Sequence, residues 1–139
     1  MWEPELRGQP TDADITAAVK VAENLPDAGD KEHVLAMYPI LGKKLPAIPD
    51  GSWGKHATQK VVKFKNLQAT NQQLNRANLV WHLKHPGQSR MKTPHNTAPQ
   101  VLKTKDGDYA IVDGHHRLSA LKMLGVKKDL CWVLDQKDL

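Results

Sequence analysis

The 139-residue chain contains one cysteine, Cys131, which excludes an internal disulfide framework and any cysteine-built zinc site within one chain. Cys131 stands in an apolar, strand-like run, where a thiol packs as a small hydrophobe; a buried structural cysteine in a reducing compartment is expected. No apolar run reaches the ~18 residues that a membrane span requires, and Met1-Trp2-Glu3-Pro4 lacks the basic-then-apolar character of an export signal. The expectation is a cytoplasmic protein with no membrane partner. Also missing are an internal repeat, a low-complexity tract and a polybasic tail.

What is present is a composition close to globular averages, 40% apolar and 25% charged, in a chain long enough for one domain with a hydrophobic core. A net charge of +5 favours anionic partners, a nucleotide or a nucleic acid, without choosing between them. Lys60, Lys63 and Lys65 cluster beside an apolar run and suit either a basic rim for nucleic acid or a solvated strand face.

The pattern along the chain implies a mixed α/β fold in two parts, a helical extension and linker over residues 1–58 and an α/β domain over 59–139. Residues 1–10, with Pro4, Gly8 and Pro10, read as an arm without periodicity. Thr11 and Asp14 open a helix over 12–24, in which Ile15, Ala18, Val19 and Ala22 form the apolar stripe. Asp30 is positioned to cap a second helix carrying Val34, Leu35, Tyr38 and Leu41, interrupted by Pro39. Pro46, Pro49, Gly51 and Gly54 mark a connector over 42–54. Val61, Val62 and Phe64 then read as a strand. Residues 74–83 read as a helix with Leu74, Ala77, Val80 and Trp81 inward, and 85–99 as a long polar loop holding His85 and His95.

The clearest pattern lies in the last third. Residues 100–105 and 108–113 flank Asp106-Gly107, a pair suited to the positive φ angles of a hairpin turn. A helix follows with Leu118, Ala120, Leu121 and Leu124 on one face and Gly125 at its C-terminal cap, then a strand over 130–134.

Between the hairpin and that helix stands Asp113-Gly114-His115-His116-Arg117. A glycine allows a sharp strand-to-helix turn, and the first turn of any helix leaves amide donors without intrahelical partners. With the helix dipole those amides attract an anion, and the Arg117 guanidinium can grip two oxygens of a phosphate. The phosphate-binding set is thus Gly114, His115, His116 and Arg117. Asp113 is placed to hold Mg2+ or to accept a hydroxyl proton, and His115 or His116 to donate a proton or stabilise charge, which makes Asp113, His115 and His116 the catalytic candidates. His85 and His95 are loop contributors to a metal-assisted hydrolysis. The competing reading of the five residues is a turn followed by solvated side chains. For Trp53, Trp81 and Trp132 the choice is between core packing and a base-stacking platform, which needs exposure.

The run from Tyr109 through Leu121, followed by Leu124-Gly125, resembles the signature of ParB-type N-terminal domains and their sulfiredoxin relatives. The strand near 61–64, the helix from Leu74 and Pro99-Gln100-Val101 agree in order, so the resemblance covers residues 59–135. It implies a ParB/sulfiredoxin-like fold with a phosphate ligand, a nucleoside di- or triphosphate with Mg2+ or a nucleic acid, at Gly114–Arg117. Sulfiredoxins place a catalytic cysteine where His115 stands, which argues against sulfinic acid reduction. Partition proteins carry an acidic residue and an arginine where His115 and His116 stand, and further domains for which this chain has no room. Free-serine kinases of this fold share the Asp-Gly-His-His-Arg order and add a catalytic carboxylate, for which Glu23 or Glu32 is the nearest suggestion. ParB-like nucleases imply phosphodiester hydrolysis at the same place. The expectation is an enzyme acting on phosphoryl or phosphodiester groups, as phosphotransferase or nuclease; the alternative is a non-catalytic nucleotide- or DNA-binding accessory protein.

Overall fold

A computed structural model describes residues 10–86 and 98–139. The expected N-terminal arm with Trp2, the loop residue His95 and most of the 85–99 loop lie outside the described residues. Among those described, four α-helices accompany a five-stranded mixed sheet and a two-stranded one. No described helix is long and apolar enough to cross a membrane.

Helix α1 spans Asp12–Glu23. Its start is a reciprocal capping box: the Thr11 hydroxyl accepts the Asp14 amide while the Asp14 carboxylate accepts the Thr11 amide. The helix expected from Asp30 does not form. Strand β1, His33–Leu35, takes its place and pairs antiparallel with β4, Gln73–Asn75. The reason is local: the Asp30 carboxylate accepts the Glu32 amide at 2.8 Å and bonds the His33 ring at 2.8 Å, fixing a turn rather than a helix start. Val34 is then buried and Leu35 exposed, a strand alternation.

A short helix α2, Ser52–His56, interrupts the expected connector and leads into β2, Thr58–Lys63, with Lys60 and Lys63 exposed on an edge strand. Strand β3, Leu67–Gln68, follows, and α3 is Arg76–Lys84. Leu74, expected on that helix, belongs to β4, and Asn75 is the cap, its side chain accepting the Asn78 amide at 2.9 Å. The inward face also differs from expectation: Leu79 and Leu83 are buried, whereas Ala77 and Trp81 are exposed.

Strands β5, Gln100–Lys103, and β6, Tyr109–Asp113, form the expected antiparallel hairpin. Its turn is not the expected two-residue one. Only Gly107 takes a positive φ, and the turn closes by Gly107 N–H to Thr104 O and Thr104 N–H to Asp108 O. Helix α4, His115–Met123, ends at Gly125 as expected, with Gly125 and Val126 amides returning to the Lys122 and Leu121 carbonyls. Strand β7, Lys128–Asp135, completes the sheet in the order β2-β7-β5-β6-β3.

Helix α4 lies between two apolar clusters. Leu118 and Leu121 join Val62, Val101, Ile111, Cys131 and Val133 against the sheet. Ala120 joins Ala18, Ala22, Val34, Leu74, Leu79 and Leu83 against the outer layer of α1 and α3. Residues before and after position 58 therefore share both clusters, since Tyr38 enters the first and α1 the second. Cys131 is fully buried as expected, and burial pushes its thiol up to about 12.

Arg76 ties the outer layer together. Its guanidinium donates to the carbonyls of Ala22 and Leu25 at 2.9 Å and to the Asp27 carboxylate at 2.5 Å, and Nε donates to Lys31 O at 3.0 Å. These acceptors include a carbonyl of the last turn of α1. Arg76→Ala is expected to lower unfolding free energy by about 2–3 kcal/mol, since hydrogen bonds from a charged donor are lost together. Urea denaturation measures it; a change within ~0.5 kcal/mol, the range of an ordinary surface substitution, would remove Arg76 from this role.

Candidate functional site

The corner between β6 and α4 is built by three features of the sequence. Gln100 opposes Asp113 while Val101 opposes Ile111, so Val112 is an extra residue that bends the strand just before its end. Gly114 then takes φ +103°, a left-handed conformation, and caps α4 without any side-chain hydrogen bond to the first turn. Finally, a Cβ on Gly114 would stand 2.9 Å from the Pro99 Cβ, so the two segments approach as only glycine permits. Pro99 is itself held, because its carbonyl accepts the Trp132 amide at 2.8 Å.

In front of this corner lies a cleft of about 460 Å³, lined among the described residues by Asp113, Gly114, His115, His116 and Arg117 from the corner and by His82 from α3. The structure thus brings together every corner residue picked out by the sequence. It leaves His85 outside that lining, and it adds His82, whose place follows from its neighbourhood on α3 and not from any sequence motif. Glu23 and Glu32 are exposed and are not among the lining residues.

Arg117 is only 7% exposed. It is the one permanent cation, and Asp113 the one carboxylate, among the described lining residues. Asp113 is exposed, at the rim.

The two corner histidines are tied back into the fold. His115 Nε2 accepts the Thr70 amide at 3.0 Å, and the Thr70 hydroxyl donates to Ile111 O at 2.7 Å. His116 Nε2 accepts the Asn75 amide at 2.9 Å. A ring nitrogen that accepts carries no proton, so both imidazoles are neutral, with their hydrogen on Nδ1. Their protonation agrees with this. Burial, then the neighbouring His116, holds His115 down at about 4, against a weaker upward pull from Asp113. Burial and then His33 hold His116 below the usual imidazole range. His82 is held at about 4 by burial, then His116 and Arg117. The histidines are therefore neutral at neutral pH and add no charge to the cleft.

No group of three His, Cys, Asp or Glu side chains among the described residues is arranged to hold a metal ion. A helix start and an arginine lining the same partly enclosed space are features that attract an anion. No family model, curated protein or solved structure matches the chain.

Two outcomes follow from this geometry. Gly114→Ala should cost about 2–4 kcal/mol, the sum of a left-handed non-glycine backbone and overpacking against Pro99. Gly125→Ala, at φ +87° with nothing within 4 Å of its Cβ, is the control and should cost only about 1–2 kcal/mol. Equal losses in chemical denaturation would dismiss the Pro99 contact. The second outcome concerns pH. His115 titrates near 6.5 when unfolded and near 4 when folded, so between those values the unfolded chain binds more protons. The stability it confers is complete above ~6.5 and drains away toward 4, on the order of 2 kcal/mol by pH 5. His115→Gln should flatten that part of the melting-temperature profile; an unchanged slope would show that His115 is not responsible.

Proposed function

We propose that the cleft at Asp113–Arg117 binds the phosphate groups of a nucleoside di- or triphosphate and that the protein acts on phosphoryl groups. The observation that carries this reading is the uncapped start of α4, at a left-handed glycine, facing a cleft walled by a nearly buried arginine. The resemblance of the local string to free-serine kinases and ParB-like nucleases points to the same ligand class. A cleft of about 460 Å³ lies in the range of small-ligand sites, which favours a mononucleotide over a duplex.

In this reading Arg117 and the helix-start amides hold the phosphate oxygens, and the neutral Nδ1–H groups of His115 and His116 serve as further donors. Asp113, exposed at the rim, takes the proton of an attacking hydroxyl or water as the phosphoryl group is transferred. Sulfinic acid reduction has no support, since His115 stands where that chemistry needs a thiol.

A second reading, a non-catalytic nucleotide- or DNA-binding module, is favoured by one observation: His115 and His116 each spend a ring nitrogen on a backbone amide, as structural residues do. Turnover separates the two. With Mg2+ present, hydrolysis or transfer from nucleoside triphosphates, or cleavage of plasmid DNA, supports the enzyme. A thermal shift with nucleotide and no turnover supports the module.

Two substitutions test the site in either case. Arg117→Lys keeps a buried cation but loses the planar fork, and should weaken nucleotide binding about tenfold or more. Calorimetric titration measures it, and unchanged affinity would count against the cleft. Asp113→Asn should abolish turnover while sparing or strengthening binding, because a negative charge near the phosphate is lost. Full activity in that variant would dismiss Asp113 as the base.

A further inference from the structure

Trp81 was expected to face the core, yet it is 46% exposed and stands one residue before His82, which lines the cleft. Leu79 and Leu83 bury the inner face of α3, leaving the indole outward. It is nevertheless packed against two other rings. The His85 ring stacks on it with centroids 4.3 Å apart and planes 22° from parallel, and His85 Nδ1 lies 2.7 Å from the Trp81 carbonyl oxygen. The His82 and indole rings meet in a T-shaped contact with centroids 5.0 Å apart, so the indole touches a residue of the cleft wall.

An exposed indole packed in this way loses little freedom when a flat ligand is laid against it. The chemistry next to it is of the opposite kind: amides, a guanidinium and imidazole donors suited to phosphate. A ligand that satisfies both carries a phosphate chain at one end and an aromatic ring at the other.

We propose that Trp81 is the platform on which the base of a nucleotide stacks while its phosphates occupy the cleft. The proposal rests on the phosphate-binding reading above and adds to it the part of the ligand that makes it a nucleotide. Stacking of this kind accepts any base, so purines should bind more tightly than pyrimidines through their larger π-surface, with no hydrogen-bonded selection.

The test compares ATP, CTP and inorganic tripolyphosphate on the full chain by calorimetric titration. Wild-type protein should bind ATP more tightly than CTP, and CTP more tightly than tripolyphosphate. Trp81→Ala should weaken ATP about tenfold, within the roughly 5- to 150-fold range that base–aromatic stacking spans, and leave tripolyphosphate within about twofold; Trp81→Phe should restore most of the loss. Tripolyphosphate binding as tightly as ATP, or a Trp81→Ala variant that loses neither or both equally, would overturn the platform and leave the phosphate site standing. Absence of binding by all three probes would instead sink the phosphate site and the platform with it. The wild-type comparison needs no variant to fold.

Discussion

The left-handed turn at Gly114, pressed against Pro99, is the constraint on which the rest of the site depends. A β-strand and an α-helix joined without a loop need an abrupt change of direction, and here it is made by a bulge at Val112 followed by one residue at φ +103°. Because α4 is packed against the sheet on one side and against α3 on the other, its axis is fixed by the two apolar clusters. The direction in which its first amides point is then set by the core. An anion bound at this helix start would meet described backbone already fixed by the core.

The histidines show how closely folding and binding are joined at this corner. A protonated imidazole would add charge to the cleft, but His115 and His116 can hold the Thr70 and Asn75 amides only when Nε2 is bare. The fold thus uses the neutral form, and the positive character of the cleft is left to Arg117 and the helix end. Burial strengthens that smaller charge, since a guanidinium 7% exposed acts through a medium less polarisable than water.

Legibility followed sequence distance. The hairpin, α4 and its Gly125 cap were readable because each is specified by neighbours: alternating apolar residues, a glycine at each turn, a heptad-like stripe. The strand at 33–35 was not, because Val34 and Tyr38 also fit a helical stripe and the partner that decides, Leu74, lies forty positions away. The same distance hid the roles of the corner histidines, whose amide partners sit at Thr70 and Asn75, and the burial of Arg117, which charge alone argues against. Leu74 was a different kind of miss. Asn75 is a good N-cap residue three positions before the amide it caps, so the start of α3 was written in the sequence and the apolar period outweighed it.

The resemblance ends near residue 59, yet the site does not. His116 is held by the Asn75 amide, Asn75 ends the strand paired with His33–Leu35, and the next residue, Arg76, binds the end of α1 and the Asp27 carboxylate. A line of short contacts therefore runs from α1 to the helix start that faces the cleft. Apart from His116, each of these links is made by residues that the corner motif does not include. α1, Asp27 and His33–Leu35 thus hold the backbone against which one of the corner histidines is aligned. The corner string transplanted without them would keep Gly114 and Arg117 but leave the Asn75 amide, and with it the His116 ring, without these supports.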